Sequence, residues 1–137
     1  MKSFFYHLQI NIDFKNVSFY KNLMSFLGWS VIFADKNVIG YKSGQEGDLW
    51  FVESNKKELV DYDCIGVNHI SIRVCNQNDV DQVALFLQKK NVKMLFDTPK
   101  HRPEFVSNPK ETYYQIMFKS ADNILFEIVY IGWKSKQ

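Results

Sequence analysis

The chain has 137 residues, 46% of them hydrophobic, and a formal net charge of +2 at neutral pH, which suits one compact domain or two very small ones. The small net charge and the scattered lysines give no phosphate-binding patch, so a nucleic-acid partner is not expected; no apolar run is long enough to cross a membrane. The two cysteines are too few for a disulfide framework, and the first residues lack a signal-peptide pattern, so we expect a cytoplasmic protein.

The first half of the chain is predicted to form a strand, a helix and three further strands. Residues 4–12 alternate between apolar and polar side chains like a strand, and residues 13–28 change to a helical period that ends at Gly28. Short β-type runs separated by turn-like sequences place the other three strands at residues 29–35, 37–43 and 48–54.

The second half begins after a polar segment, residues 55–65, that we interpret as a linker. A helix with Asn78 or Asp79 as its N-cap is predicted, and a loop at residues 99–111 contains all three prolines. The predicted order is strand 66–74, helix 76–91, strand 92–98, loop 99–111, strand 112–120 and strand 124–131.

The two halves have the same order of elements, and their sequences can be aligned, which indicates an internal repeat. The alignment places His7 over His69 and Phe51 over Glu127. We therefore predict an α+β fold made of two β-α-β-β-β modules, residues 1–54 and residues 66–137.

Alternation along the strands predicts one polar face in each module, because successive side chains of a strand point to opposite sides. His7, Gln9 and Asn11 share a face of the first strand, and His69, Ser71 and Arg73 share a face of its equivalent. Glu127 lies in an otherwise apolar last strand, where a carboxylate needs a cation or a hydrogen-bond donor.

Two histidines and one carboxylate on a common face would form a metal site that leaves coordination positions open. Such a set suits iron, manganese, zinc or nickel, and an open position lets the ion act as a Lewis acid. The alternative is that Arg73 pairs with Glu127 and that each histidine has only a structural role.

Four motifs resemble, in this order, those of the vicinal-oxygen-chelate superfamily, which includes glyoxalase I, bleomycin-resistance proteins and extradiol dioxygenases. They are YHLQINI, FYKNLMSFLGWSVIF, NHISIRV and YYQIMFKSADNILFEIVY. The resemblance implies that the modules curl into a mixed sheet with a concave cup and with helices on the outer face. It also implies that His7, His69 and Glu127 are metal ligands.

The fourth ligand position of glyoxalase I falls on Phe51, which cannot bind a metal. Glu53, at the same strand parity, is an alternative fourth ligand. This departure argues against glyoxalase I itself.

The predicted function is a divalent-metal-dependent lyase, isomerase or dioxygenase-like enzyme that acts on a small molecule with vicinal oxygens. Glu127 and Arg73 are the candidate catalytic residues. The candidate substrate-binding residues are Gln9, Asn11, Phe51, Ser71, His101 and Tyr114.

Three points stay open at this stage. Only one of Tyr113 and Tyr114 can face the cup, and Arg102 and Glu104 in the proline-containing loop are further candidates for substrate contact. A metal-free protein that binds a small molecule or an antibiotic is the alternative function, followed by a dimer without chemistry. The resemblance also makes a homodimer a candidate assembly, because cups of this superfamily are often completed by dimerisation.

Overall fold

The computed structural model describes residues 1–44 and 46–135, with the backbone alone at residue 46. Residue 45, in a predicted turn, and residues 136–137, at the end of the second predicted module, lie outside them. The chain forms two compact units, Met1–Leu59 and Val60–Gln137, and each unit has its own sheet and α-helix.

Within its described residues, the first unit contains one α-helix and four strands. They are β1 (His7–Ile12), α1 (Val17–Phe26), β2 (Ser30–Ala34), β3 (Val38–Ser43) and β4 (Glu46–Glu53). The strands lie in the order β1-β4-β3-β2, with β1 parallel to β4 and the other pairs antiparallel.

The second unit repeats this order in the part of the chain that is described. Its elements are β5 (Ile70–Arg73), α2 (Gln77–Gln88), β6 (Lys100–His101), β7 (Glu111–Lys119) and β8 (Leu125–Trp133). The strand order is β5-β8-β7-β6, with β5 parallel to β8. The identical topology confirms the predicted duplicated α+β unit, as two four-stranded sheets.

Each helix covers one face of its own sheet. In β1, Ile10 and Ile12 are buried while the alternate side chains are exposed, and in β5 Ile70 and Ile72 are buried in the same way. This confirms the predicted strand parity. No helix of the described residues has the length and apolarity needed to cross a bilayer.

Helix α1 ends where the sequence predicts, at a glycine. Gly28 has φ of +77°, a left-handed conformation that glycine adopts without steric cost. The Trp29 N–H donates to the Met24 carbonyl at 2.9 Å and the Gly28 N–H donates to the Ser25 carbonyl at 3.0 Å. These two bonds close the helix and direct the chain into β2.

The N-cap predicted for helix α2 is wrong by two or three positions, because Asn76 holds that place. The Asn76 Oδ1 accepts the Asp79 N–H at 3.0 Å, and the Asp79 Oδ2 accepts the Asn76 N–H at 3.2 Å. This reciprocal capping box leaves Asn78 inside the first turn of the helix.

The strand predicted at residues 92–98 is also wrong. Phe96 and Asp97 have φ of +57° and +56°, which an extended strand cannot contain, and Met94 makes only a single bridge to Phe118. The edge position of the sheet is taken instead by β6, in the segment predicted as a loop.

The alignment of the two modules slips by one residue in the last strand. Gln9 is paired with Trp50 in the first sheet, and Ser71 is paired with Glu127 in the second. Since Gln9 and Ser71 are equivalent, Trp50, not Phe51, corresponds to Glu127. A slip of one residue moves a side chain to the other face, and Phe51 is fully buried in the core.

Replacing Asn76 by Ala is expected to lower the free energy of unfolding by about 1 kcal/mol, because the helix loses the acceptor for an orphan N–H. Urea unfolding measures the change. Asn78→Ala is the matched control, with a change near zero. Equal losses in the two variants would contradict the observed cap.

Candidate functional site

A cavity of about 560 Å³ in the second unit brings together polar and aromatic side chains. It lies on the face of the sheet opposite helix α2, because Tyr113, Met117 and Glu127 line it while the alternate residue Tyr114 bonds to Asp81 of the helix. Its other polar or ionisable members are Tyr62, Asp63, Asn68, His69, Arg102 and Gln115. A volume of this size suits a small molecule.

Glu127 is the most deeply buried charged side chain at this site, with 2% of its surface exposed. The Tyr113 hydroxyl donates to Glu127 Oε1 at 2.8 Å, which supplies the donor that a buried carboxylate requires. Burial, followed by the hydrogen bond to Glu127 and its charge, raises the pKa of Tyr113 to about 12, while a hydrogen bond with Ser71 acts in the opposite direction. The phenol is therefore protonated at neutral pH.

His69 lies immediately before β5, between two hydrogen-bond acceptors. The Asn68 Nδ2 donates to the Tyr62 carbonyl at 2.8 Å, which fixes the orientation of the amide and turns Asn68 Oδ1 toward His69 Nδ1, 2.8 Å away. The Nδ1 atom must then carry a proton. The other ring nitrogen, Nε2, lies 3.5 Å from Glu127 Oε2.

Two facing acceptor atoms, His69 Nε2 and Glu127 Oε2, need a proton or a cation between them. It is either one proton shared by the two groups or a metal cation held by both side chains. Two ligands about 2.1 Å from one ion lie roughly 3.0–3.4 Å apart at ordinary angles, close to the observed spacing. The pair therefore fits two ligands of one divalent metal.

His7, the third predicted ligand, belongs to the first unit and is exposed at the start of β1. Across residues 1–44 and 46–135, no group of three or more His, Cys, Asp or Glu side chains is placed to hold a metal ion. The complete set of His7, His69 and Glu127 thus stays a prediction, and the second unit by itself shows the His69–Glu127 pair.

The alternative that Arg73 pairs with Glu127 is wrong. The Arg73 Nη2 atom donates to the Ile131 carbonyl at 2.7 Å, and Glu127 is held by Tyr113 and His69 instead. Arg73 does not line the cavity, so the structure gives no support for its predicted catalytic role.

Two residues predicted to bind substrate, His101 and Tyr114, lie on the other face of the second sheet. Their rings are 4.5 Å apart, the Tyr114 hydroxyl donates to Asp81 Oδ1 at 2.8 Å, and His101 Nδ1 is 2.6 Å from Thr112 Oγ1. Burial, followed by the bond to Asp81, raises the pKa of Tyr114 to about 12. Tyr113 is the tyrosine that faces the cavity.

In the first unit, Gln9 and Asn11 are exposed neighbours, and Gln9 Nε2 donates to Asn11 Oδ1 at 3.3 Å. Phe51 packs against Tyr20 with ring centroids 4.6 Å apart and is a core residue, so its predicted role in substrate binding is wrong. Trp50 occupies the place that Glu127 has in the second unit.

Glu53 does not supply a fourth ligand in this arrangement. Its Oε2 atom accepts the Phe14 N–H at 2.9 Å, and its other oxygen contacts the Lys57 ammonium. The carboxylate is thereby bound to the segment that leads into α1.

The sequence reasoning missed most of the residues that line the cavity, among them Asn68 and Phe105. The only sequence signal for Asn68 is its position next to His69, a predicted ligand whose ring nitrogens need hydrogen-bond partners. Phe105 reaches the cavity because a 3₁₀ turn, Pro103–Phe105, folds it against Tyr113 with ring centroids 5.2 Å apart; no sequence periodicity signals that contact.

Comparisons with known proteins identify the fold. No protein-family profile matches the sequence, and no curated protein matches it either. Among solved structures, a candidate glyoxalase from Bacillus halodurans is 21% identical with a TM-score of 0.75, over 92% of this chain and 94% of that one. A glyoxalase/bleomycin resistance protein from Albidiferax ferrireducens is 15% identical with a TM-score of 0.73, over 92% and 98%.

A third solved structure, a lactoylglutathione lyase from Agrobacterium tumefaciens, is 10% identical with a TM-score of 0.62, over 94% of each chain. At such low sequence identities, structural similarity is evidence for the fold alone. It confirms the fold that the four motifs predict.

The two tyrosine pKa values predict a late phenol titration. From pH 10 to 12 the folded chain keeps protons on Tyr113 and Tyr114 that the unfolded chain, with its ordinary value of 10.0, releases. The stabilisation present below pH 10 is therefore lost as the pH rises through 12.

A near-ultraviolet titration of phenolate absorbance measures both steps. Glu127→Gln should lower the Tyr113 step alone, because Tyr114 depends on Asp81. Tyr113→Phe and Tyr114→Phe assign the steps. An unchanged late titration in Glu127→Gln would show that the charge of Glu127 does not raise the pKa of Tyr113.

Proposed function

We propose that this chain, which has the fold of the glyoxalase and bleomycin-resistance proteins, is a divalent-metal-dependent enzyme acting on a small molecule with two neighbouring oxygens. The observation that carries the proposal is the approach of His69 Nε2 to Glu127 Oε2 at 3.5 Å within a cavity of small-molecule size. His7 is the third ligand proposed from the motifs. The reaction class is a lyase, isomerase or dioxygenase-like one.

A bound divalent ion would supply Lewis-acid polarisation of a substrate oxygen. The side chains of the protein would then carry out the proton transfer. Tyr113 stays protonated across the neutral range and holds Glu127 Oε1, so the carboxylate is fixed in orientation and its second oxygen faces the site. A carboxylate held in this way can accept a proton from a carbon or a hydroxyl beside the polarised oxygen.

Apolar side chains surround these polar groups. Phe96, Phe105, Met117 and Leu125 line the same cavity, and a bound molecule that covers them displaces water from around Glu127. In such surroundings electrostatic interactions strengthen, which favours both proton transfer and stabilisation of an oxyanion.

A metal-free binding protein is the second candidate, and two observations favour it. Trp50 stands where a further carboxylate would be expected, and Glu127 already has a hydrogen-bond donor in Tyr113. The aromatic lining would then bind an apolar or aromatic molecule directly. Ligand-induced thermal stabilisation that is unaffected by chelator would support this function over the first.

A cytoplasmic location and a homodimer belong to the same proposal. Cys64 and Cys75 are both free and exposed, which suits a reducing compartment. The dimer is proposed from the resemblance of the motifs to the superfamily.

Calorimetric titration of tag-free, chelator-stripped protein with Zn²⁺, Ni²⁺, Mn²⁺ and, without oxygen, Fe²⁺ tests the proposal. His69→Ala should weaken binding by more than the roughly 10- to 100-fold that outer-shell changes cause, because it removes a ligand. Glu127→Gln should weaken it too while keeping an acceptor for Tyr113. His101→Ala is the matched control, since that histidine lies on the other face.

Absence of binding to the wild type, or equal affinity in His69→Ala and the wild type, would refute the metal-dependent function. His7→Ala in the same titration decides the third ligand.

Asn68→Ala should weaken metal binding by roughly 10- to 100-fold, because His69 loses the acceptor that keeps its Nδ1 atom protonated and turns the lone pair of Nε2 to the site. Imidazole nitrogen NMR of the metal-loaded protein gives a second readout. A proton retained on His69 Nδ1, with unchanged affinity, would show that Asn68 does not position this ring.

A further inference from the structure

The rim of the cavity that contains Glu127 carries one arginine, Arg102. Its side chain is 27% exposed, and its backbone N–H donates to the Tyr113 carbonyl at 2.8 Å. The loop that carries Arg102 is thus anchored to β7, on the strand that provides the donor to Glu127.

Two neighbours orient the Arg102 guanidinium. Its Nε atom donates to Glu104 Oε1 at 2.6 Å, and its Cζ lies 5.0 Å from the centroid of the Phe105 ring. Among the hydrogen bonds of the described residues, Nε is the only atom of the Arg102 guanidinium that has a partner. Four N–H donors on the two terminal nitrogens therefore remain for a ligand.

The charges around the cavity limit what that ligand can be. Arg102 is the one permanently cationic side chain among its described lining residues, while Asp63 and the buried Glu127 are acidic. With no metal bound, these two carboxylates repel a dianion about twice as strongly as a monoanion, and a single carboxylate can pair with the planar guanidinium through two parallel hydrogen bonds. The aromatic walls suit an apolar body of about ring size.

We propose that the substrate or ligand of this site is a monoanionic carboxylic acid with an apolar or aromatic body, and that Arg102 binds its carboxylate. The inference rests on the proposed function for its site, since it names the substrate class of the same cavity. Glu104 competes for the same guanidinium, because its charge partly neutralises Arg102. A hydrogen bond from its own backbone, and then the bond from Arg102, lower the pKa of Glu104, so that charge persists at neutral pH.

The competition between Glu104 and the ligand gives two opposite expectations. Arg102→Gln should weaken carboxylate binding by roughly tenfold or more, because a charge-assisted pair is lost. Glu104→Gln, which keeps the acceptor atom and removes the charge, should strengthen it. A purely structural Arg102–Glu104 pair would not produce opposite signs in the two variants.

Protein NMR titration with benzoate tests the proposal, with benzamide as the neutral isostere and phenylphosphonate at pH 8 as the dianion. All titrations contain a chelator, so a failure of metal binding leaves this result unaffected. Benzoate should bind more tightly than both other probes, with amide shifts around Tyr113. Arg73→Gln, the matched control in the chain's other arginine, should bind benzoate like the wild type.

Three results of the affinity comparisons would overturn the proposal. They are equal binding of benzoate and benzamide, tighter binding of phenylphosphonate, and losses of similar size in Arg102→Gln and Arg73→Gln. Amide spectra of the unliganded variants confirm that each remains folded. A shift map confined to residues outside the cavity would also contradict it.

Discussion

The burial of one carboxylate, Glu127, determines the arrangement of the second unit's polar face. A charged group that is 2% exposed must be given donors or a cation, since its desolvation otherwise costs several kcal/mol. The Tyr113 hydroxyl donates a hydrogen bond to one carboxylate oxygen, and His69 lies beside the other. Asn68 is hydrogen-bonded to His69, and Ser71 is hydrogen-bonded to Tyr113. The loop that carries Arg102 is bonded to the same strand as Tyr113.

The two units show how one topology can carry different chemistry. Both have a parallel pair formed by their first and last strands, with polar side chains on the open face. At the position that pairs with Gln9 the first unit has Trp50, whose ring lies so close to Gly40 that a Cβ there would be 2.8 Å from it. The second unit has Glu127 at the equivalent position. A buried carboxylate therefore stands in one unit, and an aromatic ring packed against glycine stands at the equivalent position of the other.

Much of the fold was predictable because it follows from local periodicity. Period-two alternation separated Ile10 and Ile12 from Gln9 and Asn11, and glycine at position 28 ended α1 as expected. The failures have specific physical causes. Residues 92–98 have a strand-like composition, but Phe96 and Asp97 adopt left-handed backbone angles that side-chain patterning does not reveal. Nothing in the sequences of β4 and β8 shows how the two strands should be aligned. The predicted alignment was therefore off by one residue and matched Phe51, instead of Trp50, with Glu127.

The amino-acid sequence was enough to predict the repeated unit and the polar face of each first strand, because both follow from periodicity. It also made His69 and Glu127 candidates for the site, because the repeat aligns His69 with His7 and a lone carboxylate is costly to bury. The groups that contact Glu127 could be identified only in the folded chain. The choice of Tyr113 over Tyr114 depends on the register of β7 against β8, where Met117 pairs with Glu127. The exclusion of Arg73 depends on its hydrogen bond to the Ile131 carbonyl of β8. The placement of Arg102 depends on a loop bonded to β7. Such pairings join residues far apart in the chain, and the spacing of residue types within one strand carries no information about them.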